Sequence, residues 1–252
     1  MLTTFRTLLR GALRDRISLF FAIVFPVGIL LVLGFVFPAP GYRRQLLAGM
    51  LAVSVLFFSL NGIAFESLFQ RNSGVYKLLR ATPYKSITFI TNLTASRGVV
   101  ALLSCALVAI AGVLIFGIAL SWQSVLLLLP VMVLGILCFT FLGLTISNLV
   151  QNENQVAMLS NIVTLPMIFT SATFYSLSNA PSWVTTIGHV LPFSYLIDAE
   201  HAALAGNAGG VVFPLLMLFG FTLLAMLLAL VTFRWDPNTP PLRRMMRVRA
   251  GV

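Results

Sequence analysis

The chain has 252 residues, of which 59% are hydrophobic and 9% charged, with a formal net charge of +10. A soluble domain of this size carries about 25% charged residues, so the apolar excess must be solvated by lipid rather than hidden in one core. The Lys and Arg residues flank apolar runs, where they orient a membrane protein and meet anionic lipid, and this speaks against nucleic acid as a partner.

In chain order, residues 2–16 come first. Leu2, Phe5, Leu8, Leu9, Ala12 and Leu13 form a helical stripe with arginines opposite, the pattern of a helix lying in the membrane interface. Two readings fit: an elbow that helps to seat a partner, or a lipid anchor and topology signal. Six apolar runs follow, roughly Ile17 to Phe37, Leu46 to Phe65, Gly98 to Leu120, Ser124 to Ser147, Gln155 to Phe174 and Val211 to Phe233. Each has about 20 residues or more, enough to cross about 30 Å of hydrocarbon. The first is longer than a signal-peptide core and lacks a clean small-x-small cleavage site, so it reads as a retained helix. Cys105 and Cys138 lie inside apolar runs, where free cysteine acts as a small hydrophobe, and no disulfide framework or metal spacing follows.

Fourteen of the sixteen basic residues fall on one face: Arg6, Arg10, Arg14 and Arg16; Arg71, Lys77, Arg80, Lys85 and Arg97; and Arg234, Arg243, Arg244, Arg247 and Arg249. Only Arg43 and Arg44 lie on the other. The positive-inside rule makes the heavy side cytoplasmic and places both termini there, in a multi-pass protein of the inner or plasma membrane. The tail 234–252 reads as a basic lipid-surface patch. Trp122, Trp183 and Trp235 fall at or just beyond expected span ends, as interfacial indoles do.

The segment 66–86 mixes short apolar stripes with a turn at Asn72-Ser73-Gly74 and a break at Thr82-Pro83, where proline disfavours helix in the residue before it. The result is a bent unit of short helices between the second and third spans. It can receive force from a soluble partner, or it can simply rest on the membrane. Glu66 sits where the second span leaves lipid, and an ion pair to Arg71 or Arg80 would stiffen the unit. In the second span Ser54 and Asn61 share a face. In the fifth, Asn154, Ala157, Asn161, Thr164 and Ser171 fall at helical spacing with Pro166 as a kink. Polar residues in a span face protein or a water-filled path, so these faces suit helix packing, a dimer interior or a translocation path. The segment 175–210 is too apolar for a free loop and too short to span, which suggests re-entrant or interfacial helices, either an external gate or a packed cap. Asp198, Glu200 and His201 are the densest titratable cluster and read as an external polar turn rather than a metal site.

Taken together, these positions resemble the membrane-spanning permease subunits of ATP-binding-cassette transporters of the type-2 exporter class. The resemblance rests on Glu66, Gly74, Leu79, Arg80, Thr82 and Pro83 in the first cytoplasmic loop, and on Pro181, Trp183, Pro192 and Tyr195 before the last span. It departs where Ser171-Ala172 and Tyr175-Ser176 stand in place of a small-Gly and an aromatic-Pro pair, and where His201 sits near an expected arginine. The resemblance implies an all-α fold: six transmembrane helices, an N-terminal interfacial helix, a cytoplasmic coupling helix and re-entrant helices before the last span, in one permease domain. It implies coupling to the ATPase through Glu66, Arg71, Gly74, Tyr76, Leu79, Arg80, Thr82 and Pro83, and an external gate around Pro181, Trp183, Pro192 and Tyr195. It further implies a second permease subunit and a separate cytoplasmic ATPase carrying ATP and Mg²⁺. No G-x-x-x-x-G-K-[ST] occurs in this chain, so no nucleotide cofactor and no catalytic residue is expected in it.

Two other classes fit less well. An ion-coupled carrier or channel usually buries ionisable residues in its spans, and the six runs hold no Asp, Glu, Lys, Arg or His. An intramembrane enzyme would need a catalytic constellation, and a chain with six acidic residues and no G-x-S-x-G or H-E-x-x-H offers none.

Overall fold

A computed structural model describes residues 2–75, 86–171, 173–174 and 181–232. Among the described residues there are nine helices and no strand. The amphipathic α1, Leu2–Arg14, is followed by Asp15, whose carboxylate accepts the Ser18 amide at 3.1 Å and starts α2, Arg16–Val36. Helix α3, Pro40–Asn72, opens with proline at its first position, where a missing N–H costs nothing. Then come α4, Ser86–Phe116, and α5, Trp122–Leu149, the latter capped by Ser121. Helix α6, Glu153–Thr170, is capped by Asn152. The short α7, Ser182–Val190, and α8, Pro192–Leu204, precede α9, Ala208–Thr232.

Five helices are long and apolar enough to cross a membrane: α2, α3, α4 from Thr91, α5 and α9. The expected fifth span, α6, has 18 residues and falls outside that group, because Glu153, Asn154, Gln155, Ser160 and Asn161 dilute its apolar character. It still joins the two ends of the bundle. Gln151, just before it, lies by Asn72, while Ser171, just after it, bonds to Ser194 at 2.9 Å. At about 1.5 Å per residue its length is about 27 Å, close to the hydrocarbon thickness.

Helix α3 is the central post. Every residue from Leu46 to Leu56 is buried, and α2, α4, α5 and α8 pack around it. That surrounding protein lets α3 extend well past its apolar core at both ends, from Pro40 through Arg43 and Arg44 to Gln70 and Asn72. Within it, Phe57–Gly62 is wound as a π-helix, and Phe20–Val24 of α2 is wound the same way. The two π turns lie side by side, with Phe21 stacked on Phe57 at 5.7 Å and Phe25 edge-on to Phe57 at 5.9 Å. Extra-residue turns of this kind leave local carbonyls and side chains off the regular ladder and cluster at functional positions.

The segment before the last helix is not a loose cap. In α8, Phe193, Leu196, Ile197, Ala203 and Leu204 are buried, and Phe193 meets Phe139 of α5 edge-to-face at 5.9 Å.

Candidate functional site

One end of the bundle gathers Asp15, Glu66, Arg71 and Arg97 and is called here the basic end. Arg97 of α4 is only 2% exposed. Its guanidinium lies 3.2 Å from Asp15 Oδ2, at the junction of α1 and α2, and 3.1 Å from Glu66 Oε2 of α3. Gln70 donates to the other Glu66 oxygen at 2.6 Å. The guanidinium also lies over the Phe58 ring, 5.5 Å from its centroid. Glycine at position 62 makes the approach possible: a Cβ there would lie 2.6 Å from Arg97 Nη1. One cation therefore ties three chain segments, the N-terminal helix, the second span and the third, at the point where the second span leads into residues 73–85.

Arg71 has a different task from the one the sequence suggested. Glu66 pairs with Arg97 rather than with Arg71, which is 2% exposed and donates to the Ser147 and Val150 carbonyls at 3.0 and 2.5 Å. These are end carbonyls of α5 that have no partner inside the helix, and a cation there also meets the negative end of the helix dipole. Asn148, beside them, donates to Ala229 O of α9 at 3.3 Å. The end of α3 is thus fastened to α5, and through it to α9. Gly74, at φ +80°, then turns the chain away from the helix, a conformation that favours glycine. Tyr76, Leu79, Arg80, Thr82 and Pro83 lie outside the described residues.

The polar residues expected to line a path are divided by the structure. Ser54 is buried and bonds back to Met50 O, while Asn61 is half-buried. Thr164 on α6 and Ser171 just after it are buried, whereas Asn154 and Asn161 are exposed beside Met158, Ile162, Leu165 and Phe169. The polar residues therefore point to two faces of α6 rather than one. A shallow hollow lined by Met158, Asn161, Ile162, Leu165 and Pro166 lies on the exposed face.

A family model described as ABC-2 type transporter matches residues 2–205, most of the chain, including the Arg97 hub and the Arg71 contacts. The chain belongs to the ABC-2 type transporter membrane family. Nodulation protein J of Sinorhizobium fredii (strain NBRC 101917 / NGR234) is 28% identical over 90 residues, 36% of this chain and 34% of that protein. The match thus spans about a third of that relative's length.

In this ABC-2 chain the residues expected at an outer gate fall on α7 and α8 and, for Pro181, just before α7. Pro181 and Trp183 are exposed, and Trp183 keeps 63% of its surface free. Pro192 is buried at the start of α8. Tyr195 donates to His189 O at 2.9 Å, and its ring lies 5.8 Å from Phe221. The Asp198, Glu200, His201 group is not an external polar turn. His201 Nε2 meets Gln45 O of α3 at 3.2 Å, and Glu200 is fully buried with neither oxygen hydrogen-bonded. Burial holds the Glu200 carboxyl well above its ordinary range; the nearby Ala52 amide pulls the other way without reaching hydrogen-bond geometry. The signal for this was present in the sequence. Phe193, Leu196, Ile197, Ala203 and Leu204 form a helical stripe, and Glu200 lies on it. Among the described residues no group of three potential metal ligands comes together.

Proposed function

We propose that this membrane subunit forms one half of a translocation path and is driven by a separate cytoplasmic ATPase that docks on residues 66–86. The observation that carries this reading is the Arg97 hub. A segment meant to deliver force must be rooted rigidly, and here its root is tied to the N-terminal helix by Asp15, to the third span by Arg97 and to the fourth by Arg71. The ABC-2 family match supports the ATP-binding-cassette assembly, with ATP and Mg²⁺ bound on the partner.

The exposed face of α6 supports a second permease subunit, identical or related. Asn154 and Asn161 in an otherwise apolar stripe are costly against lipid and are accommodated by a protein partner or a watery path. Both termini face the cytoplasm in this reading, and the basic tail meets anionic lipid. Transport runs outward, as the exporter resemblance implies.

Charge reversal tests the hub's role. In a reconstituted complex, Glu66→Arg inserts and assembles normally, but cargo no longer stimulates ATP hydrolysis. Unchanged stimulation with Glu66→Arg would remove Glu66 from the coupling path.

A further inference from the structure

A crevice opens between α4 and α5 on the outer surface of the bundle. Its volume is about 690 Å³, within the roughly 300–1,000 Å³ of small-ligand sites, and its walls include Leu103, Ala106, Ile110 and Leu114 of α4 and Leu129 of α5. A second cavity of about 370 Å³ continues it towards the basic end, with Val99 and Leu102 lining both. No charged side chain lines either cavity. From Val99 to Leu114 the helix rises about 22 Å, more than one leaflet's share of a hydrocarbon layer about 30 Å thick. Leu103, Ile110 and Leu114 keep 53%, 52% and 78% of their surface exposed, so nothing among the described residues covers them.

Beyond the loop that ends the crevice lies another, charged cavity. Leu120 lines the crevice, while Ile118 and Ala119 of the same loop line a separate cavity of about 480 Å³ together with Pro40, Gly41, Arg43 and Arg44. Arg43 is held in that wall: its Nε donates to Gly34 O at 3.0 Å and its guanidinium lies 4.8 Å from the centre of the Phe116 ring. Arg44 is exposed and makes no hydrogen bond or ion pair among the described residues. Among the described residues these two are the basic side chains that line that cavity. Trp122, 76% exposed at the start of α5, marks the headgroup level beside the same loop.

An apolar crevice alone gives no preference for a lipid tail over bulk lipid, since both surroundings are hydrocarbon. Selection has to come from the headgroup. A cation at the surface favours an anionic headgroup by about five-fold. We propose that the crevice binds one anionic phospholipid, with an acyl chain between α4 and α5 and its headgroup reaching past the loop 117–120, so that its phosphate meets Arg44 in the neighbouring cavity that Arg43 and Phe116 also line.

The test uses the full chain in vesicles with phosphatidylglycerol carrying a photoreactive acyl chain, and a phosphatidylcholine analogue as control. Adducts should map to crevice residues of α4 and α5, and unlabelled phosphatidylglycerol should compete about five-fold better than phosphatidylcholine. Arg44→Gln should lower labelling to the phosphatidylcholine level, and Arg44→Lys should keep it. Ala106→Trp should block adducts with either headgroup. Arg44 is exposed, so its variants are expected to fold as the parent does, and size-exclusion elution checks this. Labels spread evenly over α2 and α9 would overturn the proposal, as would equal labelling by the two lipids or indifference to Arg44→Gln. Cross-links from the crevice to a second copy of the chain would overturn it too.

Discussion

Replacing Arg97 by methionine removes the cation from the hub while keeping much of the side chain's volume. Two carboxylates then lose their charged donor. A hydrogen bond to a charged group contributes about 1.5–3 kcal/mol, and Asp15 and Glu66 are each about a quarter exposed, so roughly half of that survives screening. The contact with Phe58 adds about 0.5–1 kcal/mol. Arg97→Met should therefore destabilise the chain by about 2–4 kcal/mol, read from reversible denaturant unfolding in mild detergent. The triple variant Asp15→Asn, Glu66→Gln, Arg97→Met leaves no unpaired charge, and neutralising a buried ionic cluster is often close to neutral. It should recover most of the stability lost in Arg97→Met. A single variant within about 0.5 kcal/mol of the parent, or a triple variant no better than the single, would refute the view that one cation holds the three segments by charge.

Three further outcomes follow from the same geometry. Gly62→Val places carbon where the Arg97 guanidinium lies and should cost about 1–3 kcal/mol by thermal unfolding, whereas Gly220→Val, at a position with nothing near its Cβ direction, should cost less. Glu200, whose folded-state value is raised by burial, favours the native state most below the ordinary glutamate range; that stability declines as pH rises from there towards the raised value, by up to about 1.4 kcal/mol per pH unit. Glu200→Gln should therefore flatten the dependence of the melting temperature on pH above the ordinary glutamate range. Asn161→Leu should weaken subunit assembly or slow transport in reconstituted vesicles, and a variant normal in both would separate the exposed face of α6 from the dimer interior.

Apolar runs were enough to locate five of the six expected spans, because an 18-residue stretch without charge has few places to go but lipid. They misjudged the length of the second. Apolarity marks only lipid-facing or buried positions, and α3 carries Arg43 and Arg44 at one end and Glu66 and Gln70 at the other inside the same helix. The π turns at Phe20–Val24 and Phe57–Gly62 left no mark in composition, since they arise from packing between two helices. The hub was half legible. Glu66 stood out as a carboxylate at a span margin, but its partners lie 31 residues away and, through Arg97, a further 82, and local spacing favours Arg71 instead. Glu200 was misjudged for the opposite reason. Its charge drew attention to its titratable neighbours, while its register among Phe193, Leu196, Ile197 and Ala203 already placed it on the buried face of a helix.

Purification of the tagged chain from its native membrane, under detergent mild enough to preserve complexes, measures the central idea most directly. A nucleotide-binding ATPase should come with it in near-equal amount, and Glu66→Arg should keep that pairing while losing its cargo-stimulated ATP hydrolysis. Vesicles in which the chain alone moves cargo, with no nucleotide-hydrolysing companion present, would contradict the account.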